Sequence, residues 1–316
     1  MVLLIVGIIL TVIVVDVLNN RPDRRGSNPY ALEVDRYREV NEELISHKEV
    51  RNFSLGLLIA TDMSYHNQAL YISGNSTLAV IALDGSPSTL FEIPSGASCL
   101  EVDGEDIFIG FGSYVAKFSH EGELLQEWED LGERTVITNL AIKEDKVYVA
   151  DAGNRRIVIF NRQGEQIGMF EGKAESEAGH GFIVPSANFD LAVNSFGELW
   201  VVNPGKHALE DYADDGRMRG FWESRSFEID GFLGCCNPAR ITTLMDGSFV
   251  TSEKGMVRIK IYDQSGTLKS VVAGPDLFKG EDGKAPEVCA DENDVIYALD
   301  FDRDMVRVFE PIDKES

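Results

Sequence analysis

The sequence predicts an all-β chain, a six-bladed propeller of four-stranded sheets, preceded by a single N-terminal transmembrane helix and a short amphipathic helix. Three observations lead there. Tyr71, Phe108, Tyr148, Trp200, Phe249 and Tyr297 each sit at the centre of a short apolar strand, at successive spacings of 37, 40, 52, 49 and 48 residues, the length of a four-stranded blade and not of a helical repeat. Each follows another apolar strand by about eight residues and runs into a polar turn. Ahead of the repeats, one apolar run opens the chain, and a polar, charged stretch separates it from the first strand.

The elements follow in order. Residues 1–18 read as a membrane anchor: Val2 to Leu18 is apolar apart from Thr11 and Asp16 and has no proline. As a helix it spans about 27 Å, close to a bilayer's hydrocarbon thickness. The anchor is expected to stay uncleaved, because Val14 to Asn20 offers no small residues for a signal-peptide site. Residues 19–47 read as a linker, polar from Asn19 to Asn28 around Pro22, followed by a charged helix over Ala31 to His47 with Val34, Tyr37, Val40, Leu44 and Ile45 along one side. That helix is expected either to pack on the propeller's flank or to dock a membrane partner. Residues 48–316 read as the propeller.

The clearest repeat runs from Leu140 to Gly164: an apolar strand, a charged turn, a strand around Tyr148, the turn Asp151-Ala152-Gly153-Asn154-Arg155-Arg156, an alternating strand ending Phe160-Asn161, and a turn at Gly164. Further copies surround Trp200, Phe249 and Tyr297, while those around Tyr71 and Phe108 are more degraded. The pattern resembles the NHL repeat, and Asp151 to Asn161 matches it almost residue for residue. The resemblance spans residues 55–316 and implies a six-bladed propeller without implying one activity, because that family includes lyases, lactonase-like hydrolases, sensor modules and binding scaffolds. The sixth repeat ends near Phe309 without a fourth strand. Lys48 to Leu55 alternates correctly and is expected to close the ring by pairing with Met305 to Phe309.

Orientation draws on two opposed signals. No basic residue precedes the anchor and Arg21, Arg24 and Arg25 follow it, which alone would hold the propeller in the cytoplasm. Anchored propellers of the resembled kind sit outside the cytoplasm, so a single-pass protein with a periplasmic or extracellular propeller is the expectation. The formal net charge of −24 excludes nucleic acid as a partner.

Chemistry is expected on the face that gathers the connectors entering each blade and the turns between second and third strands. Three connectors are long, at residues 174–186, 225–236 and 276–284, and each brings a phenylalanine (Phe182, Phe232, Phe278) ahead of a proline. The middle one holds adjacent cysteines, so Phe232, Cys235, Cys236, Asn237, Glu253 and Lys254 form the expected partner or redox-contact face. His180 and His207 arrive from the neighbouring blade, and with Cys235 and Cys236 they could hold a soft metal or an iron–sulfur centre, although no recognised metal-ligand spacing is present. A vicinal disulfide and two packed thiols are the alternatives for the pair. Cys99 and Cys289 fall on inner strands and read as packed residues.

A second site reading places calcium at the channel mouth on inner-strand carboxylates, Asp62, Glu101, Asp103 and Asp190, near Arg240. The inner strands are read as free of histidine, which disfavours a histidine-held zinc. No phosphate loop, nucleophile elbow or His-Glu-x-x-His motif occurs. The function expected is a membrane-anchored binding or assembly subunit of a cell-envelope complex with redox chemistry, partnered by other membrane-complex subunits. The rival is a hydrolase or lyase with a divalent metal at the channel mouth.

Overall fold

The structure, a computed structural model, describes residues 34–56, 58–173, 181–279 and 283–312. The expected anchor at 1–18, the linker after it and His180 lie outside the described residues. No helix among the described residues is long and apolar enough to cross a membrane.

Six four-stranded antiparallel sheets follow one another as blades 1 to 6, over residues 60–92, 99–127, 137–170, 191–223, 240–273 and 287–311. The first five are each built from four consecutive strands. The sixth takes its outer strand from the start of the propeller: His47–Ser54 pairs antiparallel with Met305–Pro311, with Phe53 opposite Val306 and Asn52 opposite Arg307. The expected closure therefore forms, and it removes an exposed strand edge. Arg307 clamps the join by donating from Nη1 to both carboxylate oxygens of Glu49 at 3.0 Å.

The inner strands Ala60–His66, Cys99–Asp103, Ile137–Lys143, Leu191–Val193, Arg240–Thr243 and Glu287–Ala290 touch in sequence around the ring, the last meeting the first. Each gap between adjacent blades holds one apolar cluster. Strands flanked by blades on both sides are apolar on both faces, which is why they read as short continuous runs.

Five of the periodic aromatics, Tyr71, Phe108, Tyr148, Trp200 and Tyr297, pack toward the following blade. Phe249 does not. It faces back onto Trp200 with ring centroids 4.7 Å apart, and Val250 faces the next blade instead. The aromatic period is thus out of step by one residue in blade 5, and in a strand one residue reverses the face.

The expected helix over Ala31 to His47 is corrected. Residues Val34–Tyr37 and Glu42–Leu44 form two short 3-10 turns, and the backbone is extended by Ile45. Asn41 caps the second turn by accepting from the Glu43 N–H at 3.0 Å. Beyond it, Ile45 bridges to Val271 and the Ser46 N–H donates to the Val271 carbonyl at 3.1 Å. Pairing with the outer strand of blade 5 overrides the weak local preference for helix.

Candidate functional site

Charged residues open three consecutive inner strands: Asp190, Arg240 and Glu287. Asp190 Oδ2 accepts from the Ile241 N–H at 2.6 Å and Oδ1 from the Leu191 N–H at 2.9 Å, with Asn139 Nδ2 as a further donor. Asp62 Oδ2 accepts from the Leu100 N–H at 2.7 Å. Both carboxylates therefore staple their own inner strand to the next blade's. The Arg240 guanidinium lies among them, with Nε 3.0 Å from Glu287 Oε2 and Nη1 donating to the Thr138 carbonyl at 3.4 Å.

Burial, then the Glu287 charge, push Asp190 up to about 8 and hold Asp62 well above the carboxylate range, Arg240 opposing both. Glu101 rises to about 8 for the same first cause, against a hydrogen bond with Ser64. Burial of this kind favours the neutral carboxyl, and the fixed Arg240 charge opposes it. The cavity beside it, lined by Asp62, Glu101, Asn139 and Glu287, is about 160 Å³, below the several hundred Å³ of ordinary ligand pockets.

Asp103 does not join this group. It ends its inner strand at the turn toward Asp106, is half exposed, and pairs with Arg162 of blade 3. The reading of histidine-free inner strands is also corrected. His66 ends the blade 1 inner strand, at the far end from Asp62, with Nε2 buried near the Gly104 backbone and its ring 6.2 Å from that of His120. Glu287, missed in the sequence, could have been found from Pro286, the same proline signal that precedes Arg240 at Pro238. Cys99 and Cys289 are packed thiols, as expected, and burial holds both well above the ordinary thiol range.

The rim loop is built differently. Cys235 is exposed and Cys236 is 2% exposed, with their sulfurs 3.3 Å apart as two free thiols. The loop before them is gripped from beneath by three alternate residues of blade 5, which point one way because strand side chains repeat every two residues. Arg258 Nη2 donates to the Gly231 carbonyl at 3.1 Å, Lys260 Nζ to the carbonyls of Gly231 at 2.6 Å and Ile229 at 3.1 Å, and Tyr262 Oη to that of Asp230 at 3.1 Å. Glu253 sits between the two cations, 2.7 Å from Arg258 and 2.9 Å from Lys260, all three with fully buried side chains. Gly231 is required here, since a Cβ would lie 2.3 Å from the Ser226 carbonyl oxygen.

Several residues expected on a contact face are thereby corrected to structural ones. Phe232 is 3% exposed and packs on Trp222 and Tyr262 between blades 4 and 5. Glu253 is consumed by its two cations and the Leu233 N–H. Asn237 pins the loop to the adjacent turn, accepting from the Lys254 N–H at 2.9 Å and donating to the Lys254 carbonyl at 3.1 Å. His207 spends Nδ1 on the Asn237 carbonyl at 2.8 Å. Among the described residues no three His, Cys, Asp or Glu side chains gather as a metal site.

Cys235, Cys236 and Lys254 are left at the rim. Lys254 Nζ donates to Ser186 Oγ at 3.1 Å and lies beside Cys236. Burial raises the Cys236 thiol, but hydrogen bonds from Ser186 and Cys235 and the Lys254 charge outweigh it, so the group ionises below its ordinary range. Cys235, which shares a proton with that sulfur, shifts the other way. Ionisation therefore begins at the inner sulfur while the outer one faces solvent.

No protein-family model matches the chain, and no curated protein matches it in sequence. Solved structures show the same fold. A catalytically inactive virginiamycin B lyase from Staphylococcus aureus with quinupristin aligns with a TM-score of 0.58 and 13% identity, over 83% of this chain and 99% of that one. A streptogramin B lyase aligns with a TM-score of 0.59 and 11% identity, over 86% of this chain and all of that one (100%). The WD40 propeller domain of Doa1 aligns at 0.54 and 15%, over 79% of this chain and 78% of that one. At these identities the likeness is one of fold.

Proposed function

We propose that the chain is a membrane-anchored, NHL-type propeller serving as a binding and assembly subunit of a cell-envelope complex with redox chemistry, and that it meets its partner through the rim around Cys235 and Cys236. The observation that supports this most is the contrast in availability between its two polar centres. Asp62 and Asp190 are already hydrogen-bonded to backbone amides, with Arg240 as their resident cation, which weighs against a divalent-metal hydrolase or lyase. The thiol pair is presented at the rim on a loop fixed by buried charge, and Cys235 is open to a partner. The pair can exchange with a partner's disulfide: two thiols give up two electrons and two protons and join at about 2.05 Å, and the partner leaves as a dithiol.

Gentle detergent purification from native membranes is expected to recover stable companion chains, and the Cys235→Ser, Cys236→Ser double variant is expected to lose at least one. An unchanged companion set, or a solitary chain loaded with a divalent metal, would overturn the reading. The anchored outer-side topology predicts that protease added to intact spheroplasts degrades the propeller; a protected propeller places it in the cytoplasm.

A further inference from the structure

The mouth of the channel holds a second cavity, distinct from the small carboxylate-lined one below it. It measures about 650 Å³ and is lined by Thr61, Ser98, Asn188, Arg240, Lys254 and Lys284 together with small apolar surfaces. Ordinary organic-ligand pockets have this size. Its described lining contains three cationic side chains and no carboxylate, in a chain whose net charge is −24.

Arg240 already neutralises the inner-strand carboxylates, but it and Lys254 keep donor capacity for a ligand. Arg240 uses Nε on Glu287 and Nη1 on the Thr138 carbonyl, and its Nη2 makes no hydrogen bond among the described residues. Lys254 donates to the neutral Ser186 hydroxyl, lies against the Cys236 thiol, and pairs with no carboxylate among the described residues. Both are held in place. Arg240 is fixed by the inner-strand cluster, and Lys254 sits in a turn whose backbone is pinned on both sides by Asn237. Donors fixed before the ligand arrives lose little freedom on binding.

We propose that this mouth cavity binds a small organic molecule through an oxyanion group, a carboxylate or a phosphate, received by Arg240 and Lys254. A bare inorganic anion would leave most of the volume empty, so the ligand carries an uncharged body that Asn188, Ser98 and Thr61 face. The negative exterior repels free anions at long range, so specificity comes from the pocket and not from steering. The site shares Lys254 with the thiol rim but uses the thiols in no step.

Isothermal titration calorimetry on the full chain in detergent, with gluconate and glucose 6-phosphate as probes and glucose as the uncharged control, tests it. At least one anionic probe is expected to bind and glucose not to; binding of one alone identifies the oxyanion, and binding of both shows that the site takes carboxylate and phosphate alike. Lys254→Gln is expected to weaken binding by about tenfold or more, the loss of one charge-assisted hydrogen bond. Arg240→Lys tests the floor of the cavity, but it also disturbs the ring, so Lys254→Gln is the deciding variant. Silence with both anionic probes, equal affinity for glucose, or unchanged affinity in Lys254→Gln would each overturn the proposal.

Discussion

Blades 3 and 5 place corresponding residues at the same points and use them for different ends. In blade 3 the third strand carries Arg156, Val158 and Phe160 on the side facing blade 2, and Val158 and Phe160 fill an apolar cluster with Trp128. In blade 5 the corresponding residues are Arg258, Lys260 and Tyr262, facing blade 4. Likewise Asp151 accepts from Arg156 Nε at 2.8 Å across its own turn, where Glu253 pairs with Arg258 and Lys260 together. One arrangement closes a turn and the other holds an inserted loop. The comparison teaches that a long connector becomes a rigid platform only when the strand beneath exchanges apolar contacts for buried donors, each matched to a carbonyl or a carboxylate.

The sharpest way to break this comparison is to remove the shared acceptor. Glu253→Ala leaves two fully buried cations without their carboxylate, and is expected to cost about 3–5 kcal/mol in chemical denaturation. Asp151→Ala removes an acceptor for Thr135, the Val136 and Asn154 N–H groups, the Asn154 side chain and Arg156. It is expected to cost less, about 2–3 kcal/mol, because its cation is partly solvated and most of the orphaned groups are single neutral donors. Equal losses would mean that the buried triad is no more than a turn.

Next in size is Lys260→Val, which puts the blade 3 residue into blade 5. It removes a buried charge but takes the Lys260 donor from the Ile229 carbonyl and leaves the Gly231 carbonyl to Arg258, for an expected loss of about 1–3 kcal/mol at neutral pH and faster proteolysis within 225–236. Its pH dependence is the more specific readout. Burial lowers the Lys260 ammonium to about 8, Glu253 pulling it up and Arg258 pushing it down. An unfolded lysine titrates at about 10.4. Between these values the unfolded chain binds the extra proton, so this group makes stability rise with pH across that window. The parent should gain on Lys260→Val from about pH 8 to 10; a flat difference would show that Lys260 is not held as a desolvated cation.

Much of the ring was legible because it rests on strand period and turn residues, both local. The closure by His47–Ser54 could be read because a missing fourth strand leaves an edge that something must pair. What resisted reading depended on which face a side chain takes. Phe249 fits the aromatic spacing yet points backwards, since one residue out of step preserves a period of about fifty while reversing direction. Phe232 and Asn237 sit beside the cysteines in sequence and Glu253 in the turn next to them, but nothing local tells that Arg258 and Lys260 rise beneath that loop and draw Glu253 inward. A signal was present in Arg258-Ile259-Lys260-Ile261-Tyr262, where Arg258, Lys260 and Tyr262 put polar ends on one face of the strand. The early helix misled because Ile45 and Ser46 pair with Val271, a partner more than two hundred residues away and invisible to any local pattern.

The smallest expected effect sharpens the comparison from the other side. Arg156 is 20% exposed, and Asp151 keeps other donors when the guanidinium is removed. Arg156→Ala should therefore cost only about 1 kcal/mol, close to the value of an exposed ion pair. Burial raises the Asp151 carboxyl, but hydrogen bonds from Asn154 and Arg156 bring it below the ordinary range. Its stabilising share is present above the unfolded pKa of about 3.9 and is lost as pH falls through the lower folded value. Arg156→Ala should shrink that acid-side loss without abolishing it, because Asn154 and the Val136 N–H still favour the ionised form. If instead the variant proved as costly as Glu253→Ala, with stability below pH 4 no longer responding to Asp151, the turn of blade 3 would depend on its cation as fully as the platform of blade 5 does, and the distinction between a turn closure and a loop support would collapse.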